Sequence, residues 1–377
     1  MKNRSIFMAI MISMAALVLF SCESGGGGGD SSTPFETGFD TAAIPSDVAT
    51  ITVGSETVDM IYANNQAGII FPFSPSPGTP VDNNPATLMM KFFMSETQVT
   101  NALMVQVLNW AKTNNKISES GTDNLVNATT VKYGNQELLD LDFGASSMKI
   151  SYSTSTHTFT VATGYEDRPV VSVSWYGAIM FCNWLTEMRD GNTTNVVYTG
   201  IDTTWTDTET LENNDRTGYR LPSNKEWEYA ARYIGTTTPT RGDLPTEYVA
   251  QSHNSGDSTL TAGYYWTPAD YASGAIRDYM NETETRAVAW YEDDSSMTTY
   301  PTTNCLMPVA QKTANQLGLY DMSGNVWEWC FTASGSSRVA RGGSWINSAA
   351  IIRLGLWSIY NPVVEYHYLG FRFARSH

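Results

Sequence analysis

Gly318-Leu319-Tyr320-Asp321-Met322-Ser323-Gly324-Asn325-Val326-Trp327-Glu328-Trp329 is the stretch on which the fold turns. It reads as one tight turn, rich in Gly, Asp, Ser and Asn, that delivers Trp327 and Trp329 to a core. Three further blocks are likewise built around Trp. Upstream, Arg168-Pro169-Val170-Val171-Ser172-Val173-Ser174-Trp175 leads into Phe181-Cys182-Asn183-Trp184-Leu185. Next, Tyr219-Arg220-Leu221-Pro222-Ser223 leads into Glu226-Trp227-Glu228-Tyr229-Ala230. Downstream, Arg341-Gly342-Gly343-Ser344-Trp345 is closed by Leu369-Gly370-Phe371-Arg372.

Helix signals are few and well marked. Thr100 is a cap for a helix with Leu103, Val107 and Ala111 on one face. Ser174 is a cap for a second, with Ala178, Cys182 and Leu185 aligned. Ser223-Asn224-Lys225-Glu226 is a capping box ahead of Trp227, Ala230 and Ala231. Short Thr-, Tyr- and Val-rich segments separated by Gly, Asn and Pro fill the rest. The pattern is α+β: few helices, short irregular β-strands, and no solenoid period.

The four ordered blocks resemble the formylglycine-generating-enzyme, or sulfatase-modifying-factor, domain over residues 88–377. The resemblance implies a C-type-lectin-like fold. It does not settle function. The copper oxidase of that family uses two cysteines after its Gly-Gly-Ser. Those positions fall here on Ile352 and Trp357, which neither ligate copper nor do thiol chemistry. Of the remaining thiols, Cys182 and Cys330 read as core residues. A second branch, the iron-dependent sulfoxide synthases, adds a His-rich helical domain. His157, His253, His367 and His377 are scattered, and no helix carries two at ligand spacing.

A third branch comprises the variable proteins of diversity-generating retroelements, and the C-terminal segment resembles their treponemal variable-lipoprotein type. In that type, Asn codons of a template are rewritten at adenines. Residues 342–372 lie on its pattern without a gap, with Ala349, Arg353 and Pro362 as the interrupting framework residues. The rewritten positions become Ile346, Asn347, Ser348, Ala350, Ile351, Leu356, Ser358, Ile359, Tyr360, Asn361, Val363, Val364, Tyr366, His367 and Tyr368. Each is reachable from an Asn codon by adenine substitution. Trp357 and Glu365 depart from the usual Arg. A variable set must be exposed, so the framework must fold the loop. Gly342 and Gly343 then supply backbone geometry, Trp345 supplies core, and Arg353 and Arg372 supply hydrogen bonds. Displayed together, Ile, Val, Leu and Tyr make an apolar binding patch with Tyr360, Tyr366 and Tyr368 as rigid anchors. The competing reading makes Ile346, Ile351, Val363 and Val364 ordinary strand residues facing a core.

Asp321, Gly324, Val326 and Glu328 match a calcium-binding turn of the family. Asp321 and Glu328 would offer side-chain oxygens, and Gly324 and Val326 carbonyls. The alternative is a purely structural turn. No other cofactor is implied. The acidic loop at Asp293-Asp294 reads as a solvated face.

The N-terminus is an address. Lys2 and Arg4 precede the apolar run Ile6 to Phe20, too short for an ordinary membrane span. It ends in Leu19-Phe20-Ser21-Cys22, which resembles a lipobox. The implied divisions are a signal peptide over 1–21, a lipidated Cys22 with a Gly-rich tether over 22–34, and a β-prone lead-in over 35–87. Such a chain sits in the bacterial envelope, anchored to the membrane by its lipid, on the outer-membrane surface.

Composition agrees. Against 22 Lys and Arg stand 38 Asp and Glu, a formal charge of −16 that excludes a general nucleic-acid binder. With 42% hydrophobic and 12% aromatic residues the chain can bury a core. The expectation is a cell-surface lipoprotein that binds external protein ligands through a diversified C-terminal surface. The alternatives are a fixed-specificity adhesin or envelope protein, or an oxidoreductase with an atypical site.

Overall fold

The computed structural model describes residues 48–376, except 65, 83, 121–123, 143–148, 202–204, 206–214, 237–259, 262–263 and 293–305. The signal peptide, Cys22, the tether, His253, Asp293-Asp294, Cys305 and His377 lie outside the described residues.

Strands come first. β1 (Val48–Val53) and β2 (Glu56–Asn64) form a hairpin, followed by β3 (Ile69–Pro72), β4 (Pro85–Leu88) and β5 (Phe92–Ser95). Helix α1 (Asn101–Thr113) leads to the hairpins β6 (Thr130–Tyr133) with β7 (Gln136–Asp140) and β8 (Ile150–Ser153) with β9 (Thr158–Val161). Then come α2 (Trp175–Asp190), β10 (Tyr219–Arg220), α3 (Asn224–Arg232), β11 (Tyr233–Gly235), β12 (Tyr265–Trp266) and α4 (Glu282–Val288). The C-terminal part is β13 (Trp327–Ser334), β14 (Ser337–Arg341), β15 (Trp357–Tyr360), β16 (Leu369–Gly370) and β17 (Ala374–Ser376). The architecture is mixed α and β with few helices and many short strands. Among the described residues, no helix is long and apolar enough to cross a membrane.

Two sheets organise these pieces. The first runs β1-β2-β5-β17-β10 and joins both ends of the described chain, with Met60 opposite Ser95 and Ala374 opposite Met94. Of the lead-in expected over 35–87, β1 and β2 are therefore strands of the domain sheet, while β3 pairs with β4 in a two-stranded sheet of its own. Strand β2 pairs with β5, and Phe71 of β3 packs against Tyr229 and Trp266. The lead-in was not recognisable as part of the domain because its partners are distant in sequence. The second sheet runs β15-β14-β13-β16, antiparallel apart from β13 with β16.

The three helix caps form as the residues dictate. Thr100 accepts from Leu103 N and Ser174 from Gly177 N, and Ser223 and Glu226 close a reciprocal capping box. Leu103, Val107, Ala111, Ala178, Cys182, Leu185, Trp227, Ala230 and Ala231 are all buried. Helix α2 lies deep: Trp175 to Thr186 is buried throughout. It approaches β7 at Gly177, where a Cβ would come within 2.0 Å of the Leu138 carbonyl oxygen.

Buried ions lock α3 to the second sheet. Arg341 Nη2 donates to Glu228 Oε2 at 2.6 Å, and Arg232 Nη1 to Glu228 Oε1 at 3.0 Å. Ser74 N also donates to Glu228, at 3.0 Å. Neither Arg341 nor Glu228 has any solvent exposure, so every one of these partners is needed to offset the desolvated charges.

Candidate ligand-binding surface

Residues 342–368 form a long loop around the short edge strand β15. Gly342 (φ 90°) and Gly343 (φ 70°) turn the chain out of β14, as their geometry role required. At Gly343 a Cβ would also meet Ile352 Cγ2 at 2.7 Å.

What fixes the loop is its backbone together with residues outside the variable set, Asn347 and Leu356 excepted. Trp345 N donates to Asn325 O, Leu354 N to Tyr271 O and Gly355 N to Ala269 O, each at 2.9 Å. Further on, Pro362 O accepts from Trp175 N, Tyr366 O from Ser172 N and Tyr368 O from Trp327 N. Ile352 and Leu354 are buried completely, and Trp357 donates through Nε1 to Ser74 O at 2.9 Å. Arg353 pins the outer rim: its Nε donates to Ala350 O and its Nη1 to Asp270 Oδ1.

Against that frame, fourteen of the fifteen candidate positions are half-buried or exposed. Asn361, Ile359 (41%) and Val363 (48%) stand out furthest. Leu356 is the exception. It is 7% exposed and belongs to the main core, because the Leu354-Gly355 clamp turns it inward. Asn347 is half-buried and ties the loop to itself: its Oδ1 accepts from Ser344 N and Oγ. Ile346, Ser348, Ala350, Ile351, Ser358 and Val364 are half-buried.

The aromatic side chains form one continuous array. Trp345 meets His367 at 5.8 Å, His367 meets Tyr368 at 5.2 Å, and Tyr366 stands between Tyr368 (5.1 Å) and Tyr360 (5.8 Å). Tyr360 then rests edge-on against Trp327 and Trp329 of the core. Trp345, expected in the core, is half-buried instead. It packs on Val171, Leu306 and Val326 at the margin and carries the array outward. Three of its members, Tyr360, Tyr366 and Tyr368, were expected from the sequence as binding anchors.

Burial lowers the pKa of His367 and raises those of Tyr360 and Tyr368, so it favours the uncharged form of each. Glu365 is different. Burial, then the neighbouring Glu137 and Asp140, push its carboxyl up to about 8 against the opposing pull of Lys132. Its Oε1 is buried without a partner.

The turn at 321–328 is correctly read as a turn but differs in its chemistry. Asp321 contributes its main-chain oxygen; its carboxylate Oδ2 instead accepts from Ala310 N at 2.9 Å. The oxygens of Asp321, Gly324, Val326 and Glu328 surround Gln98 Nε2 at 3.2, 3.4, 3.2 and 2.9 Å. Glu328 further accepts from Arg372 Nε (2.7 Å) and Nη2 (2.9 Å) and from Trp227 Nε1 (2.6 Å). Arg372 thus holds the loop-rich end of the fold as expected, reaching Ser95 O, Glu96 O and Tyr320 O as well. Gln98 had no sequence signal. Asp321 Oδ1 and Gln98 Oε1 are buried in the same turn without a partner, so the donor set retains oxygens of the kind a calcium ion takes.

The oxidase-cysteine positions are packing positions, with Ile352 and Trp357 in separate apolar clusters. Cys182 and Cys330 are buried, and burial pushes both thiols well above their usual range.

The chain belongs to the sulfatase-modifying factor enzyme 1-like domain family, whose model matches residues 74–377. Chaperone protein LppX of Paenibacillus barcinonensis is 32% identical over 204 residues, 48% of this chain and 61% of that protein. The formylglycine-generating enzyme of Streptomyces coelicolor is 26% identical over 235 residues, 57% of this chain and 54% of that protein. The matches therefore span little more than half the length of these relatives. Among solved structures, Treponema denticola variable protein 1 has the same fold (TM-score 0.51, 24% identity, 88% of this chain and 100% of that one). CarF also shares it (TM-score 0.50, 21% identity, 85% of this chain and 98% of that one).

Proposed function

We propose that this chain is a binding protein of the cell envelope, anchored through a lipid on Cys22, whose domain presents residues 346–368 to external protein ligands. The segment is a retroelement-diversified surface in this reading, and the domain does no bond-breaking chemistry. One observation carries it. The loop is held by main-chain hydrogen bonds and by framework side chains, while fourteen of the fifteen variable positions keep some exposure. Side chains at the exposed positions Ile359, Asn361 and Val363 are free to change without changing the backbone that carries them, so little ordering entropy is lost on binding. The buried Ile352 and Trp357, where the family oxidase has cysteines, favour this over an oxidoreductase. The shared fold with a variable protein is consistent with it.

Sequencing the coding DNA tests the diversification. Pyrimidine-ending codons are expected at all fifteen positions, with a nearby near-copy of the segment differing only at adenines beside a reverse-transcriptase gene. Purine-ending codons at several of those positions would overturn it.

A further inference from the structure

Residues 172–175 run between the loop 342–368 and strand β7 and are tied to both. On the loop side, Ser172 N donates to Tyr366 O at 3.1 Å and Trp175 N to Pro362 O at 3.0 Å. On the strand side, Asp140 N donates to Ser172 O and Ser174 N to Leu138 O, each at 3.1 Å. Ser174 Oγ also donates to Glu137 O at 2.6 Å. Residues 362–366 are thereby held alongside residues 137–140.

Glu365 sits within that contact. It is half-buried, and its Oε1 is buried without a hydrogen-bond partner. The charged groups facing it are Glu137 and Asp140 of β7 and Lys132 of β6. Residues 172–175 bring no charged side chain, and on the loop itself Tyr366 and His367 follow it. Three carboxyl groups therefore share one lysine. Like charges at close range resist ionising together. A protonated Glu365 keeps an O–H to donate to a carboxylate oxygen. An ionised one loses that donor and repels β7. Movement of 362–366 away from β7 would carry Tyr366, which stands between Tyr360 and Tyr368 in the aromatic array.

We propose that Glu365 is a proton-operated clasp between the loop and β7: protonated, it holds the tyrosine array in place, and ionised, it releases residues 361–368. The bearing of this clasp on ligand binding rests on the function proposed above; its action on the loop does not. Burial, then Glu137 and Asp140, raise the Glu365 pKa to about 8. The clasp is therefore complete below about pH 4.5 and is lost as pH rises through about 8.

Hydrogen exchange of the purified protein at pH 6 and pH 9 tests this, each rate being divided by the unstructured-chain rate at the same pH. In the wild type, the amides of 361–368 and of Ser172 are expected to lose about tenfold in protection between the two pH values. Those of 178–185 in α2 are expected to keep theirs. In Glu365→Gln the loop should stay protected at both. No loss in the wild-type loop, an equal loss in Glu365→Gln, or a parallel loss across α2 would overturn the proposal. If Glu365→Gln does not fold, the wild-type comparison of the loop with α2 decides alone.

Discussion

The ring of Tyr366 stacks on that of Tyr368, with centroids 5.1 Å apart and planes 22° from parallel. Both side chains are half-buried, and both backbone carbonyls are bound to framework N–H groups. The backbone thus fixes where the rings attach, separately from what the rings themselves touch. That separation leads to a direct test. Ile359→Ser and Val363→Ser are expected to change stability by about 0.5 kcal/mol or less. Ile352→Ala and Leu354→Ala should each cost about 2–5 kcal/mol, since both are wholly buried. Leu356→Ala should resemble the second pair. Denaturant midpoints of the five variants measure this. Equal losses in both groups would contradict the division into frame and display.

Glu228 shares its buried carboxylate among Arg341, Arg232 and Ser74 N. Arg341→Met removes one partner and leaves excess charge in the core. The expected loss is about 3–5 kcal/mol, read from urea unfolding. A loss below about 1 kcal/mol would show that the remaining partners suffice.

Glu365 supplies a pH dependence. Its folded pKa, about 8, lies above the ordinary 4.5 of a glutamate. The folded state therefore favours the protonated carboxyl. That contribution is complete below about pH 4.5 and is lost as pH rises through about 8. Glu365→Gln removes the loss. Because Glu365 is only half-buried and solvent screens it, the gain at pH 9 is on the order of 1 kcal/mol. At pH 4 wild type and variant should match. Melting curves at both pH values decide; an equal difference at both would exclude titration of Glu365 as its cause.

Gly177 sets two effects against each other. Helix propensity alone favours Gly177→Ala by about 1 kcal/mol. The added Cβ would sit 2.0 Å from Leu138 O, which is backbone and cannot rotate aside. Overpacking of about 1–3 kcal/mol or more wins, so the variant should be less stable than wild type. A raised Tm would mean that α2 shifts freely against β7.

Local chemistry was legible. Thr100, Ser174 and Ser223 cap helices because a short hydroxyl beside an apolar-periodic run has one good use. Gly342 and Gly343 marked the left-handed turn into the loop. Non-local chemistry was not legible. Gln98 meets Asp321 across 223 residues, and Ser74 meets the Trp357 indole across 283. No spacing rule connects such pairs. Trp345 was misplaced for a related reason. Its type suited a core, but the turn made by the two glycines sets it on the margin cluster. Leu356 was missed because codon reachability carries no information about which way a side chain faces.

Strand β17 has consequences for how the chain is made. It lies between β5 and β10, so the first sheet stays split until Ala374–Ser376 arrives. The whole of 346–368 is synthesised before it. A frameshift or premature stop arising in that segment also deletes Phe371, Phe373 and the strand that closes the sheet. Truncated products lack the strand that joins the two halves of that sheet. Completion of the sheet is thereby conditional on everything upstream of Ala374, 346–368 included, having been read in frame.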